Sequence, residues 1–360
     1  MSIKNNLIVI KLKNLYPDDP VDRLRGINIV CELQKRGWNI ELYTAQKEVD
    51  IILFLDSLHI DRKINAGYTI LDIQDNHLNP RNSATLFVKE HIHMTLLDKI
   101  RKELQKGFPP FMYKAFTKLL HRDRYIRDIQ NADLLICSSM ALKEDYGKQN
   151  PNTYYIPDAV EVYADKDELP QADKEEVSLC WVGTANNIVY LKIVNDILQK
   201  LQQKYRVTFS LISSKQIFHD KALNAVLEDF GFDFTFIEWE KETVSAIIKQ
   251  HDIAIAPLPD GAQKSTNKIL TYMALRVATV CSGAKDYEAL YNLHKESFCF
   301  VENSDEAWFE ALQHLITDKI SRKRIAENGY LLSGDFSLEQ VANQYEQLFM
   351  EILKKGEGVD

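Results

Sequence analysis

Short apolar runs of β-forming residues alternate with longer amphipathic runs of helical period. The alternation occurs twice, on either side of an acidic, proline-containing passage from 157 to 176. Strands separated by helices return by crossovers and lie parallel, so helices cover both faces of the sheet they form. The first series reads as strand 7–12, helix 21–35, strands 38–43 and 50–55, helix 58–66 and strand 68–73. Helical segments follow over 85–131, broken at Pro109 and Pro110, then strand 133–137, helix 139–147 capped by Ser138 or Ser139, and strand 153–156. The second reads as strand 178–182, helix 187–203, strand 207–212, helix 220–230, strand 233–237, helix 241–250, strand 252–256, helix 266–275 and strand 277–281. Helices 305–315, 319–331 and 338–353 end the chain, the last with a Ser337/Gln340 capping box and a stripe of Leu338, Val341, Tyr345, Leu348 and Ile352. The predicted class is α/β: two Rossmann-like, doubly wound parallel-sheet domains, 1–160 and 161–336, facing a central cleft. A terminal helix, 337–360, packs back toward the first domain.

A length of 360 residues suits two domains, and 45% hydrophobic content supplies two cores. The net charge of -8 argues against a general nucleic-acid binder. Cys31, Cys137, Cys180, Cys281 and Cys299 are odd in number, far apart and mostly inside apolar runs. They read as buried, reduced thiols of a cytoplasmic protein, without metal spacing or a disulfide framework. The apolar run 6–12 is interrupted by Lys11 and Lys13 and is too short for a signal peptide or a membrane span.

Within this frame the stretch HDIAIAPLPDGAQKSTNKILTYMALRVATVCS, 251–282, stands out as strand, loop, helix, strand. Such a loop aims backbone N–H groups and the positive end of a helix at one point, and Lys264 and Lys268 add cationic side chains. A diphosphate suits that place; an ordinary crossover with solvated lysines is the plain alternative. A second stretch, 99–127, interleaves basic residues with Phe108, Phe111, Met112, Tyr113 and Phe116. It reads either as a peripheral contact with an anionic membrane surface or as a solvated helical hairpin.

Several of these segments resemble, in order, the glycosyltransferases of the GT-B fold, in particular the retaining family 4 group. They are NADLLICSS, YYIPDAVEV, CWVGTANN, HDIAIAPL and NKILTYMALRVATVCS, and the likeness is strongest over 132–283. The resemblance implies a metal-independent transfer with retention from a nucleotide-diphosphate sugar, with no cofactor. It also implies two glutamates separated by seven residues, the first reaching the donor sugar and the second the ribose. Those positions hold Gln263 and Thr271 here, Arg276 stands where the family has glycine, and Ala278 where it has proline.

Cleaving a sugar–diphosphate bond calls for positive charge and N–H donors at the departing oxygens. Lys264 and Lys268 are the candidates for that work. Gly261, Gln263, Ser265, Thr266, Asn267 and Thr271 are expected on the donor, with Gly183 and Thr184 as a second backbone approach to phosphate, Lys215 as a further contact and Trp239 near the base. On the acceptor side, Asp75 and His77 follow a strand end and are candidates to grip sugar hydroxyls or a reacting oxygen, while Arg23 or Arg25 could pair with phosphate. The expected partners are a nucleotide sugar and a glycan or lipid-linked acceptor. The expected setting is surface polysaccharide or glycolipid assembly, in the cytoplasm or at the inner membrane face. An inactive sugar-nucleotide-binding partner protein and a sugar-nucleotide epimerase are the alternatives.

Overall fold

The computed structural model describes residues 3–13, 19, 21–56, 60–61, 63–74, 125–162 and 176–356. Asp75, His77 and residues 99–124 of the basic, aromatic stretch lie outside the described residues. The chain divides into two compact units, residues 1–156 with 348–360, and residues 157–347.

The first unit holds a six-stranded sheet of β1 (Ile8–Lys11), β2 (Ile40–Leu42), β3 (Glu48–Leu55), β4 (Asn65–Ile73), β5 (Leu134–Cys137) and β6 (Thr153–Tyr155), in the order β2-β1-β3-β4-β5-β6. Every described pairing in it is parallel. The predicted helix 21–35 begins as a wide π-helical turn, Asp22–Ile27, and continues as α1, Asn28–Lys35. Gly26 permits this close docking, because a Cβ there would lie 2.4 Å from Leu12 Cδ2 and 2.9 Å from Leu55 Cδ1. Helix α2 (Met140–Gly147) starts at Ser139, whose hydroxyl accepts the Leu142 amide at 3.0 Å.

The helix predicted over 58–66 is not formed at the described residues of that span. Ile60 and Asp61 are irregular, and Asn65 and Ala66 already belong to β4. The reason is reach. Parallel strands β3 and β4 pair Glu48 with Asn65, so residues 56–64 must carry the chain from the end of β3 back to its start. That return spans about 23 Å at roughly 3.3 Å per strand residue. A helix through the whole segment would advance only about 14 Å and fall short of that distance, and at the described end of the segment the Ile64 amide closes a turn on the Asp61 carbonyl at 3.2 Å.

The second unit holds β7 (Val177–Val182), β8 (Val207–Ser213), β9 (Thr235–Glu238), β10 (Ile253–Ala256), β11 (Ala278–Ser282) and β12 (Cys299–Val301), in the order β12-β11-β10-β7-β8-β9 and again parallel. Helical segment Ala185–Val194, of 3₁₀ type, runs into α3 (Asn195–Lys204). It is followed by α4 (Lys221–Glu228), α5 (Val244–Lys249), α6 (Asn267–Ala274), α7 (Lys285–Leu293), α8 (Asp305–Thr317), α9 (Lys319–Ser333) and α10 (Leu338–Gly356). One face of this sheet buries Trp181 and Trp308 with Leu191, Leu198 and Leu312, and the other buries Tyr272, Met273, Tyr287 and Phe298. The sequence pattern missed α7 and β12. Strand β12 is three half-buried residues at a sheet edge, and α7 turns Asp286 inward, so neither carries a clean period.

Aspartates at the beginnings of strands recur with one job. The Asp50 carboxylate accepts the Leu7 amide at 2.7 Å, Asp133 the Thr69 amide at 2.7 Å, and Asp252 the Ser178 amide at 2.9 Å. Each satisfies an amide of the neighbouring strand at the place where the ladder begins. Cys31 is exposed, contrary to expectation, because it lies on the outer face of α1; among the others, Cys137, Cys180 and Cys281 are buried and Cys299 half-buried. Helix α10 begins at Ser337, whose hydroxyl lies 3.4 Å from the Gln340 amide. Its residues from Leu348 on belong to the first unit, where the Phe349 ring lies 6.2 Å from that of Trp38.

Helix α6 ends on Arg276, at φ +56, with the Val277 amide bonded to the Tyr272 carbonyl at 3.1 Å. This is the left-handed position that favours glycine. Arginine is retained there by contacts: its guanidinium lies 3.6 Å from the Tyr330 ring centroid and 3.1 Å from Glu327. Arg276→Ala keeps the strain and loses the contacts, so it should cost about 1–2 kcal/mol. Arg276→Gly trades the contacts for relaxation and should lie within about 0.5 kcal/mol of the wild type. Urea unfolding of the two variants side by side checks both.

Candidate functional site

In open α/β sheets a ligand crevice lies outside the strand carboxyl ends where the winding reverses. In the second unit that point is between β7 and β10. These strands pair through Leu179–Ile253 and Cys180–Ala254 and then part. The Val182 amide, beyond the last paired residue, donates instead to the Tyr272 hydroxyl at 2.8 Å. Tyr272 is buried, and that burial pushes its phenol well above the usual range, so it remains a neutral hydroxyl. Helix α6 is thereby pinned at the fork.

The loop between β10 and α6 is fastened from the far side. The Gly261 amide donates to the Gly283 carbonyl at 2.8 Å, the Lys285 amide to Ala262 at 3.1 Å, and the Asn303 side chain to the Leu258 carbonyl at 2.8 Å and to Asp260 at 2.6 Å. Gly283 adopts φ +74, and a Cβ there would stand 1.9 Å from the Leu258 carbonyl oxygen, so no other residue fits without moving the loop.

Helix α6 starts after Thr266, which is buried, helical in its own backbone and makes no side-chain cap. The amides of the first turn therefore lack a capping side chain. Lys264 is exposed on the approach. Lys268 is half-buried as a residue, with its ammonium packed 4.7 Å from the centroid of the fully buried Trp181 ring. A cation over an aromatic face gains about 0.5–2 kcal/mol, too little to replace lost water. Dehydration, reinforced by the charge of Lys264, pulls the Lys268 pKa down to about 7.

The other predicted donor residues divide. Gln263, Ser265 and Asn267 are half-buried at the same loop and helix start. Thr271 donates its hydroxyl to the Asn267 carbonyl at 2.9 Å, which commits it to the helix. Gly183 spends its amide on Ile212 at 3.1 Å and its carbonyl on the Ser213 hydroxyl at 2.7 Å, so that amide is not offered to a phosphate as expected. Glycine is required there for another reason: a Cβ would lie 2.4 Å from the Trp181 ring. Thr184 precedes the helical segment Ala185–Val194 and makes no side-chain cap. Lys215 is paired with Glu238. Trp239 packs half-buried against the core, with its amide donating to Ser213 at 2.9 Å. Trp181 and Tyr272 went unnoticed in the sequence, where each reads as core; the glycine two residues after Trp181 was the available signal.

In the first unit the winding reverses between β1 and β3, and a buried polar network sits at those strand ends. Lys13 pairs with Asp56 at 2.7 Å and donates its amide to Asp22 at 2.6 Å. Asp56, at φ +41, accepts the Gln74 amide at 3.2 Å and donates its own amide to the Asp72 carbonyl at 2.6 Å. Arg25 sits inside this network. Its Nε lies 2.9 and 3.0 Å from the two Asp72 oxygens, and Nη1 donates to the Ile156 carbonyl at 2.9 Å. It is 1% exposed, so it serves the unit rather than a phosphate; Arg23 is buried as well. Among the described residues no cluster of three metal-binding side chains occurs, and no helix is long and apolar enough to cross a membrane.

Residues 176–318 match the family model "Glycosyl transferases group 1". No curated protein matches the chain in sequence. Among solved structures the chain is similar to sucrose-phosphate synthase from Thermosynechococcus elongatus, at 12% identity and TM-score 0.68, covering 97% of this chain and 100% of that one. It is similar to WaaG, a glycosyltransferase involved in lipopolysaccharide biosynthesis, at 13% identity and TM-score 0.64, covering 95% and 99%. Anabaena HepE in complex with UDP and glucose gives 12% and 0.64, covering 96% and 100%. The fold is thus that of the GT-B glycosyltransferases, and residues 176–318 of the second unit match a glycosyltransferase group 1 domain.

Lys268 makes stability depend on pH. Its folded pKa, about 7, lies below its ordinary 10.5, so between these values the unfolded chain binds more protons. Stability therefore carries the full penalty below about pH 7 and recovers as pH rises toward 10.5. The melting temperature of the wild type relative to Lys268→Met should rise from pH 7 to pH 9, as scanning calorimetry of both proteins checks.

Proposed function

We propose that the chain transfers a sugar from a nucleotide-diphosphate donor to a glycan or lipid-linked acceptor, with retention and without a metal ion, in surface polysaccharide or glycolipid assembly. The observation that carries this reading is the fork between β7 and β10, where the uncapped start of α6 and the dehydrated Lys268 meet. When the bond from the sugar carbon to the β-phosphate oxygen breaks, negative charge grows on the departing diphosphate. Amide dipoles and lysine ammonium groups already fixed at that point stabilise it without reorganising.

Lys264 and Lys268 face the diphosphate in this reading, with the amides around Ser265, Thr266 and Asn267. Gly261 shapes the loop and Gln263 offers its amide to the sugar. Asp75 and His77 are proposed for the acceptor side, and the cytoplasm, including its membrane face, is the proposed location. A metal-independent course agrees with two cationic side chains placed where a metal would otherwise neutralise phosphate.

One observation favours a second reading, an inactive donor-binding partner. Neither Gln263 nor Thr271 is acidic, and the Thr271 hydroxyl is spent on Asn267. A thermal-shift series with UDP-, GDP-, ADP- and dTDP-glucose, followed by assay of released nucleoside diphosphate, separates the two. The transferase reading expects at least one donor to raise the melting temperature and to be turned over, with both effects lost in Lys268→Met. Stabilisation without release at any acceptor concentration supports the binding protein, and a donor converted to its sugar epimer without acceptor points to an epimerase.

A further inference from the structure

We infer that Trp181 is a ligand-binding residue of the crevice in the second unit: its indole N–H donates to an oxygen of the diphosphate held at the start of α6. This rests on the reading of the crevice as a diphosphate site. It deepens that reading by adding a neutral hydrogen-bond donor that comes from β7 rather than from the loop or the helix.

The first observation is an orphaned donor. Trp181 is wholly buried, and its Nε1 is shut off from solvent with no hydrogen-bond acceptor among the described residues. An indole N–H can only donate. Buried polar groups in native proteins almost always have partners, because a donor stripped of water and left unmatched destabilises the fold. Packing alone does not call for the N–H, since phenylalanine fills a core without it. Trp308, the other wholly buried indole on the same face of the sheet, has the Asn303 side-chain oxygen 3.5 Å from its Nε1.

The second observation is the place of that donor. Trp181 is the penultimate residue of β7, beyond the last residue that pairs with β10. A Cβ on Gly183 would lie 2.4 Å from Cζ2 and 3.2 Å from Cε2, the carbon that carries Nε1. The N–H edge of the ring therefore runs beside the turn that follows the strand. The ring face lies under the first turn of α6, with the Lys268 Nζ 4.7 Å from its centroid. The Gly183 amide is committed to Ile212, so the indole two residues earlier supplies the donor that this strand end otherwise lacks.

The chemistry of the occupant follows. The uncapped start of α6 offers amide N–H groups and positive potential, the indole offers one further N–H, and a lysine lies over the ring. All three call for anionic oxygen, and a diphosphate presents several such oxygens in one group. Lys268 is half-buried and carries its ammonium on a flexible four-carbon stem. As that ammonium turns from the ring to pair with one phosphate oxygen, the N–H edge opens to another. No covalent bond changes.

The test is a proton–nitrogen correlation spectrum of the full chain, labelled with nitrogen-15 in its tryptophan indoles. The probes are UDP-, GDP-, ADP- and dTDP-glucose, with the matching free nucleosides as controls that lack phosphate. The chain has four tryptophans, so replacing each in turn by phenylalanine assigns the signals, and elimination identifies Trp181 even where Trp181→Phe folds poorly. The expected result is a downfield move of the Trp181 indole proton at saturation with a donor. Titration calorimetry of Trp181→Phe should show the dissociation constant raised about ten- to hundredfold, the usual loss for a hydrogen bond to a charged group. An indole signal that stays in place in the saturated wild type, one that the free nucleoside moves as far, or a Trp181→Phe affinity within about twofold of the wild type overturns the inference and leaves the diphosphate reading intact. Failure of all four donors to bind the wild type overturns both.

Discussion

The second unit depends on an interrupted strand pair. β7 and β10 run together for two residue pairs and then separate, and the separation exposes the Val182 amide. A strand amide left without a partner away from water costs about as much as a lost hydrogen bond. Tyr272 removes that cost from the side, and in doing so fixes α6 at the fork. The helix start, the loop before it and Lys268 all take their positions from this bond. The opening is a built feature of the sheet rather than a gap between loosely packed elements.

The same topological event in the first unit is filled differently. At the carboxyl ends of β1, β3 and β4 a chain of buried charges runs from Asp22 through Lys13, Asp56 and Gln74 to Asp72 and Arg25. Burying so many charges is tolerable because each is answered by an opposite charge or a backbone group. In the second unit the Lys268 ammonium at the fork meets the Trp181 ring and, among the described residues, no carboxylate.

Charged residues that look functional in a sequence therefore divide by their company. Asp133 and Asp252 lie in segments that resemble the family, yet each serves a neighbouring strand's amide. Arg276, which replaces a glycine of that pattern, is accommodated by stacking on Tyr330 and pairing with Glu327. Gly283 keeps its glycine because the Leu258 carbonyl leaves no room for a Cβ.

The sequence by itself determined the alternation of strands and helices, hence the two parallel sheets, and it marked the segment around Lys264 and Lys268. Periodicity and turn chemistry are local, and local signals survive in one dimension. What only the tertiary structure decided was the company each residue keeps. The start of β4 at Asn65 follows from its register with Glu48, the interior place of Arg25 from Asp72 forty-seven positions away, and the engaged amide of Gly183 from Ile212 on the adjacent strand. The partner of Lys268, on helix α6, is a tryptophan on β7. A side chain's hydration and charge state are set by what surrounds it in space, and the spacing of residues along a chain does not contain that.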